Sequence, residues 1–469
     1  GYFTTISDGT INALGNITTS NTGAGGAGGG NGFIHICGTG NQIFKGNAGT
    51  GAGRLCNVKI NKPLGTLSLV GKITIGVAEW KYLKGTVEPG TSTVAYFGSG
   101  TVNCGTSSLN MSFYDFYVQS GDVTLTGMLN AKNNVTIGAA RSLTANANNI
   151  NIGGSFISNG TFYQGTGTVT FNGSGRQVSY INMYYNMVVN KPAGKFYATY
   201  PLAINNSLTL TKGVVATTPS HYIKVIDNAT VTGGSSQSFV SGPFIKVGDD
   251  AFTFPLGDTT LPDTSAYHPF SMTAPTGATS SFTARYFPKN VLTDYPTFTS
   301  YASTLKPVST CEYWSLTRTV GSSTITPTVS WNANTCNINA LADARVASWS
   351  GTQWTDLGNN STAGNQAAGT IKANTAGPNT ANQYYVLAEF MPTPIANQRY
   401  WVGNGTNKSW NNTANWAAVS GGPGGNPVPT ANDTVIFDGG GKGESDFDVN
   451  VSIAKLLVKS TYNTNAIVQ

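Results

Sequence analysis

The chain has 469 residues, of which only 10% are charged, and a formal net charge of +6. A typical globular chain carries about 25% charged residues. Glycine (58), threonine (62) and asparagine (47) dominate, and these are poor helix formers, so a helical protein is excluded. Aromatics at 11% and hydrophobics at 39% argue equally against disorder.

The small basic excess is scattered, without the concentrated Lys/Arg face of a nucleic-acid-binding protein. No stretch approaches the roughly 20 apolar residues of a membrane span. The composition reads as all-β, and the length suggests about three domains.

From Gly1 to about Gly234 the text is a succession of short alternating runs between Gly/Asn turns, such as Thr66-Leu-Ser-Leu-Val, Asp122-Val-Thr-Leu-Thr and Ser207-Leu-Thr-Leu-Thr. Alternation with period two marks half-buried strands, and their close regular spacing marks a solenoid, sandwich or barrel. The glycine-rich Gly23–Gly32 reads as a loop. A diffuse repeat favours the solenoid. Asn61-Lys-Pro-Leu-Gly returns as Asn190-Lys-Pro-Ala-Gly, and Phe97-Gly-Ser-Gly as Phe171-Asn-Gly-Ser-Gly. Stacked copies of one unit bury a continuous core, with Asn and Thr forming ladders at the coil corners. A parallel β-helix is expected over 1–234, ahead of an elongated sandwich.

Over 235–390 proline becomes frequent and the strands lengthen, as in Ser281-Phe-Thr-Ala-Arg-Tyr-Phe and Tyr384-Tyr-Val-Leu-Ala-Glu-Phe. Seven to nine strands over this length fit a β-sandwich. Trp314, Trp331 and Trp349 read as core anchors, and Trp354 as the return strand of a hairpin and a candidate glycan contact. Residues 391–469 read as a Pro-containing linker starting at Met391, a Trp-rich cap and the first coils of a further solenoid unit. Trp410 and Trp416 either close the solenoid end or stack on sugar rings. The abrupt text at both termini suggests a segment of a longer repeating chain.

Candidate chemistry is sparse. Five cysteines show no CxxC spacing, and nearness suggests Cys37–Cys56 and Cys311–Cys336 bridges with Cys104 left over. The three histidines, His35, His221 and His268, form no HxH or HExxH motif. β-helix polysaccharide lyases and hydrolases need clustered carboxylates, whereas Asp8, Glu79, Glu88, Asp115, Asp122 and Asp227 are scattered. No cofactor is expected. Asp249–Asp250 and Asp446–Asp448 are weak calcium candidates through their oxygens, with turn capping the plainer reading.

The Trp401-Val-Gly-Asn-Gly, Trp410, Asn415-Trp416 and Pro429-Thr-Ala-Asn-Asp-Thr-Val-Ile-Phe-Asp438 text resembles the opening of repeat units in large secreted surface proteins of Bacteroidota. The Ala251-Phe-Thr-Phe-Pro-Leu-Gly-Asp, Glu312-Tyr-Trp-Ser-Leu and Trp354-Thr-Asp-Leu-Gly-Asn stretches resemble the companion sandwich module. The Gly167-Thr-Val-Thr-Phe-Asn-Gly-Ser-Gly text resembles the solenoid coils. The likeness spans nearly the whole chain, through loose motifs.

The resemblance implies export by the type IX secretion system, an extracellular or cell-surface location, and an adhesive or gliding-motility role. It carries no catalytic residues. It also implies O-glycosylation at Asp-Ser/Thr followed by a small or apolar residue, with Thr259 and Thr434 as candidates. The expected function is a non-enzymatic structural or adhesive segment whose partners are surface glycans, other cell-surface components, or further copies of the chain. A carbohydrate-binding module and a β-helix lyase or hydrolase are the alternatives.

Overall fold

The computed structural model describes residues 6–20, 29–47, 54–336, 340–391 and 397–462. Most of the Gly23–Gly32 segment and the Pro-containing stretch after Met391 lie outside these. The only α-helical turn among them is Val291–Asp294, and the rest of the regular structure is nearly all strand.

The alternating runs become short parallel strands, each paired with its counterpart one coil later. One row runs through Thr10–Ala13, Phe33–Ile36, Asn57–Ile75, Glu79–Glu88, Gly100–Asn103 and Val123–Leu125. A second links Leu129–Ala131, Ile150–Ile152, Thr168–Phe171, Met183–Ala198, Leu202–Ala216 and Thr230–Gly233. Within these two rows the offset between partners varies from 24 residues, Phe33 to Asn57, to 18, Val169 to Met187.

Parallel in-register stacking places like side chains in columns about 4.8 Å apart. Ile73, Val94, Phe116, Val135 and Phe156 form one such column, and all are buried. Each such side chain contributes about 1.5–3 kcal/mol by leaving water, and the column makes one continuous core.

The corners explain the asparagine content. An Asn or Asp side-chain oxygen accepts the backbone N–H that starts a strand one coil later. Asn16 accepts from Ile43 at 2.8 Å, Asn41 from Thr66 at 2.9 Å, Asn57 from Glu79 at 2.7 Å, Asp115 from Asn134 at 3.1 Å, and Asn134 from Ser155 at 2.8 Å. Corner N–H groups that no strand can satisfy thus find partners in a short polar side chain.

Parallel pairing continues past residue 234. Ile223–Val225 pairs with Phe244–Val247, and Val240–Ser241 with Leu256–Gly257. Phe244–Val247 then pairs antiparallel with Ser281–Phe287, which pairs with Tyr313–Val320 and through it with Asn382–Glu389. One solenoid wall therefore becomes an antiparallel sheet without a break in backbone hydrogen bonding. A second antiparallel sheet, Phe252–Phe254, Phe270–Met272, Pro327–Trp331, Gly369–Lys372 and Ser361–Gly364, adds its aromatic side chains to the same hydrophobic core. Trp314, Trp331 and Trp349 are all buried.

The chain divides into two compact units. One holds residues 1–300 and 308–388, and the other holds residues 301–307 and 389–469. In the second unit Gln398–Trp401, Thr434–Phe437 and Lys455–Val458 pair in parallel, and Trp401, Trp410, Trp416, Val435 and Phe437 form its core.

Candidate functional site

On the solenoid, an open groove of about 760 Å³ is lined by Asn110, Asn130, Asn151 and Asn172, with Ser112, Ser174, Lys132 and Arg176. The strand register stacks Asn130 on Asn151. Asn151 Nδ2 donates to Asn130 Oδ1 at 2.8 Å, and Asn130 Nδ2 to Asn110 Oδ1 at 3.2 Å and to the Met111 carbonyl at 2.9 Å. This amide ladder orients each side chain along the solenoid axis. Asn130 spends both its N–H groups within the ladder, so what remains for a sugar hydroxyl is the spare oxygen lone pairs and the second N–H of Asn151.

Lys132 lies 3.8 Å from Glu88 in an exposed pair, and the Arg176 guanidinium sits 4.5 Å over the Tyr197 ring. The described residues lining the groove include no carboxylate. The lining offers amides, hydroxyls and two cations for hydrogen-bonded contact.

The repeated Asn-Lys-Pro-x-Gly text proves to be one half of a buried polar staple. Lys62 Nζ donates to Gly38 O at 2.7 Å, Gly40 O at 2.9 Å and Gln42 Oε1 at 2.6 Å. Lys191 Nζ donates to Gly173 O at 2.7 Å, Gly175 O at 2.8 Å and Gln177 Oε1 at 2.7 Å. Each glutamine reaches one coil further back. Gln42 Nε2 donates to Ala13 O and Gly15 O, and Gln177 Nε2 to Ile152 O and Gly154 O. Three consecutive coils are thereby tied together, twice.

Both lysines are almost wholly buried. Loss of water pushes the Lys191 ammonium down to about 8, and burial also lowers Lys62. The closing glycines, Gly65 and Gly194, have φ of 71° and 70°, and a Cβ there would stand 2.5 Å from Gly40 O and 2.7 Å from Gly175 O. The sequence signal for this device is Gly-x-Gly-x-Gln (38–42 and 173–177) preceding Asn-Lys-Pro-x-Gly. The Gln half of it was not singled out from sequence, nor was the Asn110–Asn130–Asn151 ladder.

Trp354, Trp410 and Trp416, the candidates for glycan contact, are core residues. Trp354 is fully buried, donates from Nε1 to Phe298 O at 2.9 Å and packs edge-on against Trp349. Trp410 and Trp416 are buried against each other with ring centroids 4.6 Å apart, and Trp416 Nε1 donates to the Trp410 carbonyl at 2.7 Å. A ring with no exposed face cannot stack on a sugar. The apolar interior simply outcompetes the surface for the largest apolar side chains.

Cys311 and Cys336 form a disulfide with Cα atoms 5.8 Å apart. Cys37 and Cys56 are instead free thiols, as is Cys104. The register explains the difference. Phe33 pairs with Asn57 and Ile36 with Ile60, which sets Cys37 and Cys56 at opposite ends of the paired segment. Five residues of strand separate them, roughly 16 Å, beyond the reach of a disulfide.

Asp249 and Asp250 lie with Asp227 in a cluster whose carboxylate oxygens are within 4.8 Å of one another, the only such group of three among the described residues. A cationic partner is already supplied by the buried Lys246, 2.7 Å from Asp250, and that hydrogen bond holds the Asp250 carboxyl below its ordinary range. Asp446 and Asp448 belong to no such cluster. Asp448 caps a turn, accepting from Trp410 N at 3.1 Å and from the Ser409 hydroxyl, and Asp446 N donates to Lys408 O at 2.9 Å.

Thr259 is exposed in a turn, where its hydroxyl accepts from Lys195 Nζ at 2.9 Å. Thr434 is half-buried in a strand paired on both sides. Of the histidines, His268 lies 2.9 Å from Glu312 with both fully buried, and Tyr286 donates to the same carboxylate at 2.8 Å. Glu312 and Thr335, which also hydrogen-bond, directly neighbour the two bridged cysteines.

No protein-family model matches the chain, and neither a curated protein nor a solved structure does. No helix among the described residues is long and apolar enough to cross a membrane.

Proposed function

We propose that this chain is a non-enzymatic, extracellular adhesive segment of a large bacterial surface protein or filament, serving attachment or gliding. The observation that carries the reading is the groove built on the Asn110–Asn130–Asn151 ladder. It repeats the same amide from coil to coil at about 4.8 Å, a spacing close to the length of one sugar in an extended glycan. Binding distributed over many weak hydrogen bonds gains strength by multiplicity.

The solenoid around it suits a mechanical role. Its strands pair along the axis, its corners are closed by Asn and Asp, and its coils are tied by buried lysine staples. Low charge keeps the surface from selecting nucleic acid. Secretion by the type IX route and the bacterial group follow from the sequence resemblance.

The test is adhesion of beads carrying the chain to polysaccharide-coated glass under flow. The double variant Asn130→Ala/Asn151→Ala should detach at lower shear than the parent while keeping its circular dichroism spectrum. Equal retention of parent and variant would contradict the assignment of the groove.

A further inference from the structure

We propose a second binding site, for a carboxylated sugar chain of the polyuronate class, on the sheet face where the parallel solenoid passes into the antiparallel sandwich. The proposal rests on the adhesive reading and gives one of its surfaces a ligand class.

The face is set by register. Lys224, Ile245, Thr283 and Thr317 stand side by side on four adjacent strands, Ile223–Val225, Phe244–Val247, Ser281–Phe287 and Tyr313–Val320. In the next row Arg285 stands opposite Ser315. Alternation sends the intervening Ile223, Phe244, Phe282, Ala284 and Leu316 into the core, so this row must point outward. Four strands span about 14 Å, and the groove over them holds about 660 Å³, within the usual size of a small-ligand site.

The groove itself is lined by positive charge alone. Lys224 and Arg285 both line the groove, and no carboxylate does. Neither cation has a hydrogen bond or ion pair among the described residues. Asp294, whose carboxyl both Lys289 and Arg285 help to lower, is bonded to Lys289 at 2.6 Å and to the Tyr313 hydroxyl instead.

The Arg285 guanidinium lies 4.6 Å over the Phe287 ring, which is itself stacked on Tyr313 with centroids 4.4 Å apart and planes 5° from parallel. Stacking fixes the plane of the fork and leaves its N–H edges free for a bidentate carboxylate. Thr283, Ser315 and Thr317 add hydroxyls, and Tyr222 and Ile245 add apolar surface for the C–H face of a pyranose. Two separated cations interleaved with hydroxyls fit a sugar bearing a carboxylate on each unit, and the apolar side chains between them match the C–H faces of its rings.

Calorimetric titration of the full chain with tetragalacturonate tests this, with the neutral galactose tetramer as comparison. The acidic tetramer should bind, more weakly as salt rises. Lys224→Gln and Arg285→Gln should each weaken it at least fivefold, in the parent and in the Asn130→Ala/Asn151→Ala background alike. No binding, equal binding of the neutral tetramer, or insensitivity to both substitutions would overturn the proposal. Loss of shear-resistant adhesion in the Asn130/Asn151 variant alongside such a result would leave the adhesive reading standing.

Discussion

Lys191 shows how a buried charge becomes a structural part. Its ammonium has three acceptors on one short stretch, Gly173 to Gln177, 14 to 18 residues back in the chain. Removing one acceptor is worse than removing the charge, because an ammonium left short of partners in a dry site is heavily penalised. Gln177→Leu should therefore lower stability by about 3 kcal/mol or more. Lys191→Met, which removes the charge but strands carbonyls costing ~1–3 kcal/mol, should cost less; urea denaturation of both variants checks the order.

Burial also makes stability depend on pH. Between pH 8 and the ordinary lysine value near 10.5 the unfolded chain still holds the proton that folded Lys191 has released. Stability at this site is lowest below pH 8 and rises through the window. The urea midpoint of the parent, relative to Lys191→Met, should rise between pH 7.5 and 10. A flat difference would mean that the amine stays charged. The motif was visible in the sequence as repeated text, but its meaning was not. Its acceptors sit on other coils, and nothing local to Asn-Lys-Pro-x-Gly shows which carbonyls the chain will bring over it.

At the scale of strands and loops, period-two alternation made the solenoid legible, and it identified Val123 and Leu125, or Leu208 and Leu210, as buried positions directly. Alternation does not say which coil follows which at what offset, and the Cys37–Cys56 expectation failed on that ground. The two cysteines stand 19 positions apart where the local coil offset is 24, so nearness in the chain misplaces them by five residues. Trp354 does return in a hairpin, opposite Trp349, and only its candidacy as a glycan contact fails, since the face a ring takes after a turn such as 350–353 depends on the turn geometry.

Thiol titration reads this element-level arrangement. In denaturant without reductant three thiols should react, with Cys311 and Cys336 silent; a single reactive thiol would restore the Cys37–Cys56 pairing. In the folded chain half-exposed Cys37 should react first, and Cys104, pushed up to about 12 by burial, last. Reducing the Cys311–Cys336 bridge, which closes a 25-residue separation, should cost about 3 kcal/mol. It should also loosen the buried His268–Glu312 pair held beside it.

On the scale of the molecule, the passage from parallel to antiparallel pairing between Phe244–Val247 and Ser281–Phe287 is the feature that sequence texture missed. The change in proline content near residue 235 suggested a module boundary, whereas backbone hydrogen bonds run straight across it, and both sides belong to one compact unit. Composition mirrors side-chain environment, and here the environment changes while the sheet does not. The outward face of that sheet is where the second binding site is proposed.

The central claim is that the molecule holds polysaccharide without altering it. One experiment measures both at once. The chain is immobilised, incubated with a panel of neutral and acidic polysaccharides, and the retained and free material is sized by chromatography with reducing ends counted. The account predicts retention of polysaccharide at unchanged length, lost in part when Asn130 and Asn151 are replaced by alanine. Shortened chains, or new reducing ends that accumulate with time, would contradict it.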